Sequence, residues 1–225
     1  TVSLRRADEM KAAFIADVSH ELRTPLTIIK GTVETLQDGA VDDLTVRDSF
    51  LRAIGAETER LIRLVTDLLM LTRAEAGMLT LELEPLRLAD LARTRAARFA
   101  PLADQRGVRL SVAEHEGIVE CVLADPHRIT QVMDNLLANA LRHTPAGGQV
   151  IVTVVSAGAY VRCNVVDTGC GIGEEHLARI FDRFYRADAA RSRVQGGSGL
   201  GLAICRALVS AHGGRIEVES AVGRG

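Results

Sequence analysis

The chain has 225 residues, 47% of them apolar and 25% charged, a balance that suits a globular protein of one large or two small domains. Its formal net charge is -2 and its charged residues are spread along the chain, so we expect no polyanion-binding surface and no nucleic-acid partner. No apolar run approaches the ~18 residues needed to span a bilayer, so we expect this fragment not to cross a membrane.

The four cysteines form no Cys-x-x-Cys pair and lie in apolar or glycine-rich surroundings. They are Cys121, Cys163, Cys170 and Cys205. This pattern predicts reduced thiols in a cytosolic compartment and argues against a metal site held by sulfur.

The first predicted element is a long helix that carries an accessible histidine. Its apolar stripe, with spacings of three and four, consists of Phe14, Val18, Leu22, Leu26, Ile29, Val33 and Leu36. His20 lies two residues from both Val18 and Leu22, roughly 200° round the helix from each, so it should face solvent. Pro25 cannot donate a helical hydrogen bond, and we expect the helix to bend there and leave His20 accessible.

A break at Gln37–Asp43 leads into a second helix whose own apolar stripe is close to a heptad repeat. The stripe consists of Ile54, Thr58, Leu61, Val65, Leu68 and Thr72. A two-helix hairpin cannot cover both stripes by itself. A four-helix bundle made by two chains would cover them, so we predict a homodimer.

After Gly77 strands and helices alternate, which predicts an α/β unit. The predicted helices are 88–106, 126–143 and 200–212, and the predicted strands are VRLSVAE, VECVLAD, QVIVTVV, AYVRCNVVD and GRIEVES. The sequence ends at AVGRG, directly after the last of these, so we expect the unit to lack a final strand.

The segment NLLANALRHT lies on the second of these helices and carries a polar stripe. The stripe consists of Arg128, Gln131, Asn135, Asn139 and Arg142. Amide oxygens suit Mg²⁺ when triphosphate oxygens already supply the negative charge, and Arg142 would meet a phosphate. A solvated helix face gives the same pattern, and it is the more common origin of the pattern when this segment is taken alone.

In VVDTGCGIG, an apolar strand delivers Asp167 to a turn with Gly169, Gly171 and Gly173, which permit close approach of a ligand to the backbone. A carboxylate there would accept a hydrogen bond from the exocyclic amine of adenine. Guanine presents an oxygen at that position, so the contact would select ATP. A plain hairpin turn would also explain this segment alone.

The segment GGSGLGLAI opens a helix after the polar stretch RADAARSRVQ, and its backbone amides would bind phosphate oxygens under a mobile lid. An ordinary flexible loop explains this motif alone equally well. FDRFYR, which precedes it, would hinge the lid through Phe181 and Phe184, unless both rings simply belong to the core.

Together and in this order, these segments resemble the sensor histidine kinases of two-component signalling. SHELRTP is similar to the H box of that family, NLLANALRHT to the N box, DTGCGIG to the G1 box, FDRFYR to the F box and GGSGLGLAI to the G2 box. The resemblance covers nearly the whole chain and implies a multidomain α and α/β fold. Residues 1–78 would form an antiparallel hairpin in a dimeric four-helix bundle, and residues 79–225 an α/β sandwich ATP-binding domain of the histidine kinase, gyrase and chaperone type.

The resemblance implies a phosphoryl-transfer role for the H box. His20 would accept the γ-phosphoryl group of ATP and pass it to an aspartate of a response-regulator receiver domain. Glu21 would orient the imidazole and help to remove its proton. Thr24 would help to place a water that dephosphorylates the regulator, so a phosphatase activity is also expected.

The resemblance also implies that ATP and Mg²⁺ are the cofactors. Asn135 and Asn139 match the metal and phosphate positions, Arg142 and His143 lie near the triphosphate, and Asp167 matches the adenine-reading acid. Asn135 counts as catalytic for the same reason. The remaining expected nucleotide contacts are Gly169, Gly171, Gly197, Gly199, Leu200 and Gly201.

Three other functions remain open at this point. A gyrase-type or heat-shock-type ATPase would lack SHELRTP on a dimerising hairpin, and a degenerate scaffold would have lost His20, Asn139 or Asp167. A plain helical interaction module gives no account of the glycine motifs. We expect a cytoplasmic kinase core of a membrane-anchored sensor, of which TVSLRRADEMK would be the end of a linker.

Overall fold

A computed structural model describes residues 2–113, 121–187, 198–223 and 225. The chain forms two compact units, Thr1–Thr72 and Arg73–Gly225. The domain boundary proposed after residue 78 stays a prediction.

The first unit is a pair of long helices. Helix α1 spans Val2–Gln37, a short 3₁₀ turn follows at Ala40–Asp42, and α2 spans Leu44–Glu75. The side chain of Asp43 accepts hydrogen bonds from two backbone amides in the first turn of α2, and so caps that helix. The predicted break is therefore confirmed. Helix α1 continues through Pro25, and the bend expected there stays a prediction.

The single chain covers the predicted stripe on α2 only in part, since Ile54, Leu61 and Leu68 are half-buried. Leu64 and Leu71, seven residues apart, are buried, whereas Val65 and Thr72 are exposed. Two helices offer each other only one line of contact, so much of the remaining apolar surface stays uncovered. The stripe on α1 is likewise only partly covered, since 54% of Leu26 is exposed.

The second unit contains two small sheets. Strands β1 (Glu84–Leu86) and β3 (Val122–Ala124) form an antiparallel pair. The other sheet has the order β2-β4-β5, with β2 (Arg109–Ala113) parallel to β4 (Gln149–Ala157) and β4 antiparallel to β5 (Tyr160–Asp167). The helices of this unit are α3 (Leu88–Arg106), α4 (Pro126–His143), α5 (Glu174–Leu177) and α6 (Gly201–Ala211).

The core of the second unit lies between its helices and the larger sheet. Val150, Val152 and Val154 alternate along β4 and point into the core, where they meet Leu137 and Leu141 of α4. Helix α3 contributes to the same core, and α6 packs on α4. This arrangement gives the predicted α/β sandwich.

The strand predicted at GRIEVES is wrong. Residues 214–220 form no strand, although exposed and half-buried side chains alternate through Arg215–Ser220. The hydroxyl of Ser220 accepts from the backbone amide of Ile172, and Gly223 donates to the carbonyl of Cys170. An alternating pattern predicts an extended segment with two faces, but a strand also needs a backbone ladder, which does not form here.

Candidate functional site

His20 lies on the exposed surface of α1, as its place off the apolar stripe predicted. The hydroxyl of Thr24 donates to the backbone carbonyl of His20 at 3.4 Å. Thr24 therefore lies one turn after His20 on the same side of the helix. The imidazole is accessible to a group from outside its own unit.

Glu21 is half-buried and is paired with a residue that the sequence motifs did not indicate. Its carboxylate oxygen Oε2 lies 3.9 Å from Nη2 of Arg60 on α2. The same guanidinium lies 3.5 Å from Oε2 of Glu57. Arg60 thus lies between two carboxylates. One of them belongs to Glu21, the residue that follows His20, and Arg60 holds it in place. Only the antiparallel register of the two helices could have revealed this pairing.

The start of α4 is fixed by a buried aspartate. The carboxylate of Asp125 accepts from the backbone amides of His127, Arg128 and Glu82. Burial raises the pKa of Asp125, but these donors outweigh it and hold the pKa below its ordinary value. The amide of Asp125 donates to Nε2 of His212, just after α6. This hydrogen bond joins the residue before α4 to the residue after α6, and so holds the two helices side by side.

The polar face of α4 is half-buried along its length. Its two asparagines differ in their surroundings. Asn135 donates from Nδ2 to the carbonyl of Gly201 at 3.4 Å and so joins α4 to the first residue of α6. The side chain of Asn139 has no hydrogen-bond partner within the described part of the chain. Its half-buried amide is therefore free to bind a ligand.

Positive charges converge at the end of α4. Arg106, the last residue of α3, donates from Nη1 to the carbonyl of Leu141 at 3.1 Å. Burial and the charges of Arg106 and Arg186 lower the pKa of Arg142. We call Arg106, Arg142 and Arg186 the cationic cluster, and the ring of His143 lies near it. Arg142 and His143 were predicted site residues, whereas Arg106 and Arg186 were not.

The cationic cluster extends to the turn after β5. Desolvation, together with Arg142 and Arg106, lowers the pKa of His143, while the carboxylate of Asp167 acts in the opposite direction. The neutral form of the His143 ring is therefore favoured. Asp167 is the acidic group that the structure places beside this ring.

The turn after β5 allows no side chain at Gly169. The amide of Gly169 donates to Oδ1 of Asp167 at 2.8 Å. A Cβ atom at Gly169 would lie 2.6 Å from that oxygen and 2.7 Å from the carbonyl oxygen of His143. At Gly171, where φ is 70°, a Cβ atom would collide with the carbonyl of Ala221. This close packing holds the Asp167 carboxylate against the end of α4.

The F box and the G2 box meet through their backbones. Phe184 has a φ of 59° and donates its amide to the carbonyl of Gly199 at 3.0 Å. Gly199 has a φ of 71°, and a Cβ atom there would lie 2.8 Å from the Phe184 backbone. Phe181 is half-buried, with the Arg206 guanidinium 5.8 Å from its ring centre. The two motifs thus form one packed unit before α6.

Leu200 and Gly197 were also predicted to contact the nucleotide. The side chain of Leu200 is fully buried, so only its backbone is placed to contact a ligand. Gly197 lies outside the described residues, and so does the expected lid segment RADAARSRVQ apart from its first two residues. The predicted glycine contacts that are described, at Gly169, Gly171, Gly199 and Gly201, all lie in the second unit.

The structure supplies no acidic metal cage. Over the described ranges, no three His, Cys, Asp or Glu side chains are grouped so as to hold a metal ion. A neutral amide oxygen is a suitable ligand for a hard cation whose charge is balanced by a bound anion. The free amide of Asn139 fits this requirement. None of the described helices is long and apolar enough to cross a membrane.

Two family models match consecutive parts of the chain. Residues 10–77 match the His Kinase A (phospho-acceptor) domain. Residues 124–225 match the histidine kinase-, DNA gyrase B-, and HSP90-like ATPase domain. The first match contains His20, and the second contains Asn139 and Asp167.

Individual proteins are similar over nearly the whole chain. Sensor protein SrrB of Staphylococcus aureus is 38% identical over 218 residues, which are 97% of this chain and 37% of SrrB. The chain thus spans little more than a third of the length of this relative.

Solved structures share the fold. Full-length ShkA in complex with AMPPNP is 31% identical with a TM-score of 0.69, and the match covers 94% of this chain and 43% of that one. ThkA in complex with the response regulator protein TrrA is 26% identical with a TM-score of 0.72, covering 98% and 61%. AdeS of Acinetobacter baumannii is 27% identical with a TM-score of 0.69, covering 91% and 92%.

Proposed function

The chain belongs to the sensor histidine kinases of two-component signalling, and on that premise we propose that it transfers the γ-phosphoryl group of ATP to His20. The observation that carries the proposal is the pairing of two domains in one chain. One is a phosphoacceptor domain with an exposed histidine, and the other is an ATPase domain with a free amide and a cationic cluster.

The proposed reaction is an in-line displacement at phosphorus. A ring nitrogen of His20 forms a bond to the γ-phosphorus while the bond from that phosphorus to the β,γ-bridging oxygen breaks and ADP leaves. The attacking nitrogen uses its lone pair, and the proton on the other ring nitrogen of His20 passes to the carboxylate of Glu21. Arg60 positions this carboxylate, because its guanidinium contacts both Glu21 and Glu57.

The nucleotide would be held by groups of three kinds. The Asp167 carboxylate would accept from the adenine amine, and this contact selects adenine over guanine. The cationic cluster would offset the charge of the phosphates. The packed backbone around Gly199 and the start of α6 would supply amide donors.

Mg²⁺ is proposed as the metal that accompanies ATP. Asn139 and Asn135 would hold it through their amide oxygens, which remain available because Asn135 uses its nitrogen to bind Gly201. When bound, the ion would neutralise charge on the triphosphate. We therefore expect nucleotide binding to weaken when Mg²⁺ is removed and when Asn139 is replaced by Ala.

The proposed partners follow from both units. A homodimer would cover the apolar residues that α1 and α2 leave exposed. A response-regulator receiver domain would take the phosphoryl group on an aspartate, which is supported by the solved relative ThkA in complex with a response regulator protein. Thr24, one turn after His20, is proposed to assist the reverse reaction, dephosphorylation of the regulator. Attachment of this cytoplasmic core to a membrane sensor also stays a proposal.

The function is tested by supplying ATP labelled at the γ- or the α-phosphate. The protein should take up γ-label and no α-label. Asp167→Asn should reduce the uptake at least tenfold and reduce the preference for ATP over GTP, while the exposed control Asp104→Asn should behave as the wild type. Release of all the γ-label as inorganic phosphate would instead indicate an ATPase of the gyrase and chaperone type.

A further inference from the structure

Arg106 is tied to the end of α4 by contacts that no sequence motif indicated. Its guanidinium donates to the carbonyl of Leu141, directly before Arg142. The backbone that follows it is fixed as well, because the amide of Gly147 donates to the carbonyl of Gly107 at 2.7 Å. Hydrogen bonds therefore join the turn after α3 to the end of α4 and to the turn that follows it.

This placement puts like charges side by side. Arg106 and Arg186 both repel the charge of Arg142, and Arg106 also acts on the ring of His143. Asp167 is the acid that acts on this ring. Grouped guanidinium groups raise the local positive potential, and an anionic ligand relieves their repulsion. The position of Arg106 should therefore affect how tightly the cluster binds an anion.

We propose that Arg106 is a positioning residue that selects triphosphate over nucleotides with fewer phosphates. This role of Arg106 rests on the proposed function, since the ligand is the triphosphate of ATP. The hydrogen bond to the carbonyl of Leu141 holds the Arg106 guanidinium beside the residue that precedes Arg142, and the two like charges repel each other. This repulsion would favour an Arg142 side chain turned towards the anionic ligand, and the charge of Arg106 would add to the potential that the phosphates meet.

A purely structural role makes a different prediction. If Arg106 only satisfied the carbonyl of Leu141 at the end of α4, its loss would lower stability and weaken the binding of all adenine nucleotides alike. An electrostatic role depends on the charge of the ligand. Removal of the Arg106 charge should therefore weaken the binding of AMPPNP most, that of ADP less and that of AMP least, and these differences should shrink at high salt.

The test compares the dissociation constants of AMPPNP, ADP and AMP, with Mg²⁺, by calorimetry at low and high salt. In Arg106→Gln, which keeps a donor for Leu141 but loses the charge, AMPPNP should bind about fivefold to tenfold more weakly and AMP within about twofold of wild type. Arg106→Lys should restore the preference for AMPPNP. Arg98→Gln, on an exposed part of the same helix, is the matched control and should change nothing.

Equal losses for the three nucleotides in Arg106→Gln, or no loss, would overturn the role of Arg106. Thermal melting identifies a variant that does not fold, and Arg106→Met then serves as a second neutral variant with the same expected order of losses. A wild-type protein that binds none of the nucleotides would overturn the proposed function, and the role of Arg106 with it. Normal wild-type binding with unchanged selectivity in the variants overturns the role of Arg106 alone.

Discussion

Asp67 lies half-buried on α2, where desolvation raises the pKa of its carboxyl from 3.8 to about 6 and Arg63 only partly offsets the effect. The folded state therefore binds a proton that the unfolded state has already lost between about pH 4 and pH 6. Stability is gained below this window and falls as the pH rises through it.

Replacing Asp67 by Asn should therefore stabilise the protein at pH 7.5, by an amount of the order of 1–3 kcal/mol. The advantage should shrink towards pH 4, where the carboxyl of the wild type is itself protonated. Denaturant unfolding at several pH values measures the difference. A constant difference across this range would mean that the ionisation of Asp67 is not involved.

Single residues differ in how far the sequence can predict their roles. The exposure of His20 follows from helix geometry, since a residue two positions from an apolar stripe must point away from it. Arg60 and Arg106 carry no such local pattern. Their roles depend on which helices become neighbours, and that information appears only in the tertiary structure.

The contact between the F box and the G2 box depends on Gly199, where the Phe184 backbone leaves no room for a side chain. Gly199→Ala should lower the free energy of unfolding by about 2–4 kcal/mol and weaken nucleotide binding, because the φ of 71° is strained for Ala and the new Cβ meets the Phe184 backbone. The matched control is Gly213→Ala. Gly213 has a φ of 72° but no atom within 4 Å, so it should lose only about 1 kcal/mol and no binding.

The comparison between these two alanine variants separates backbone strain from contact with Phe184. Chemical denaturation gives the two stabilities, and AMPPNP titration gives the two affinities. Equal losses in both variants would show that the contact between Gly199 and Phe184 contributes nothing.

Elements with local end signals were predicted best. The bounds of α3 and α4 are confirmed, because Gly107 ends α3 in the left-handed region and Asp125 with Pro126 begins α4. The strand at GRIEVES was wrong, since a strand depends on the partner against which it packs. Periodicity indicates that a segment has two faces, but it does not supply the partner.

At the scale of the whole molecule, the exposed stripe on α2 points to assembly. Ile62, Val65 and Leu69 follow at spacings of three and four, and each is at least 44% exposed. Val65→Glu should convert the dimer into a monomer, because symmetry places the charge in the interface twice. Leu123→Glu, at a residue that is also exposed but lies in the second unit, is the control and should leave a dimer. Light scattering after gel filtration would contradict this interface if Val65→Glu stayed dimeric.

The four thiols should also differ in reactivity. Burial raises the pKa of Cys163 to about 11 and that of Cys205 to about 12, whereas Cys121 and Cys170 are exposed. Iodoacetamide at pH 8 should therefore label Cys121 and Cys170 in the folded protein. Since Cys170 lies in the turn that follows Asp167, AMPPNP should slow its labelling and leave that of Cys121 unchanged. Peptide mass spectrometry reads both rates, and equal protection of the two would argue against a nucleotide site at this turn.

In the proposed function, the two units together move a phosphoryl group to His20. The measurement is the chemical stability and position of the label after incubation with γ-labelled Mg·ATP. We predict a label that is lost in acid, stable in base, absent from His20→Gln and retained in His127→Gln, which changes another exposed histidine. A label that survives in His20→Gln, or that resists acid, would contradict the account.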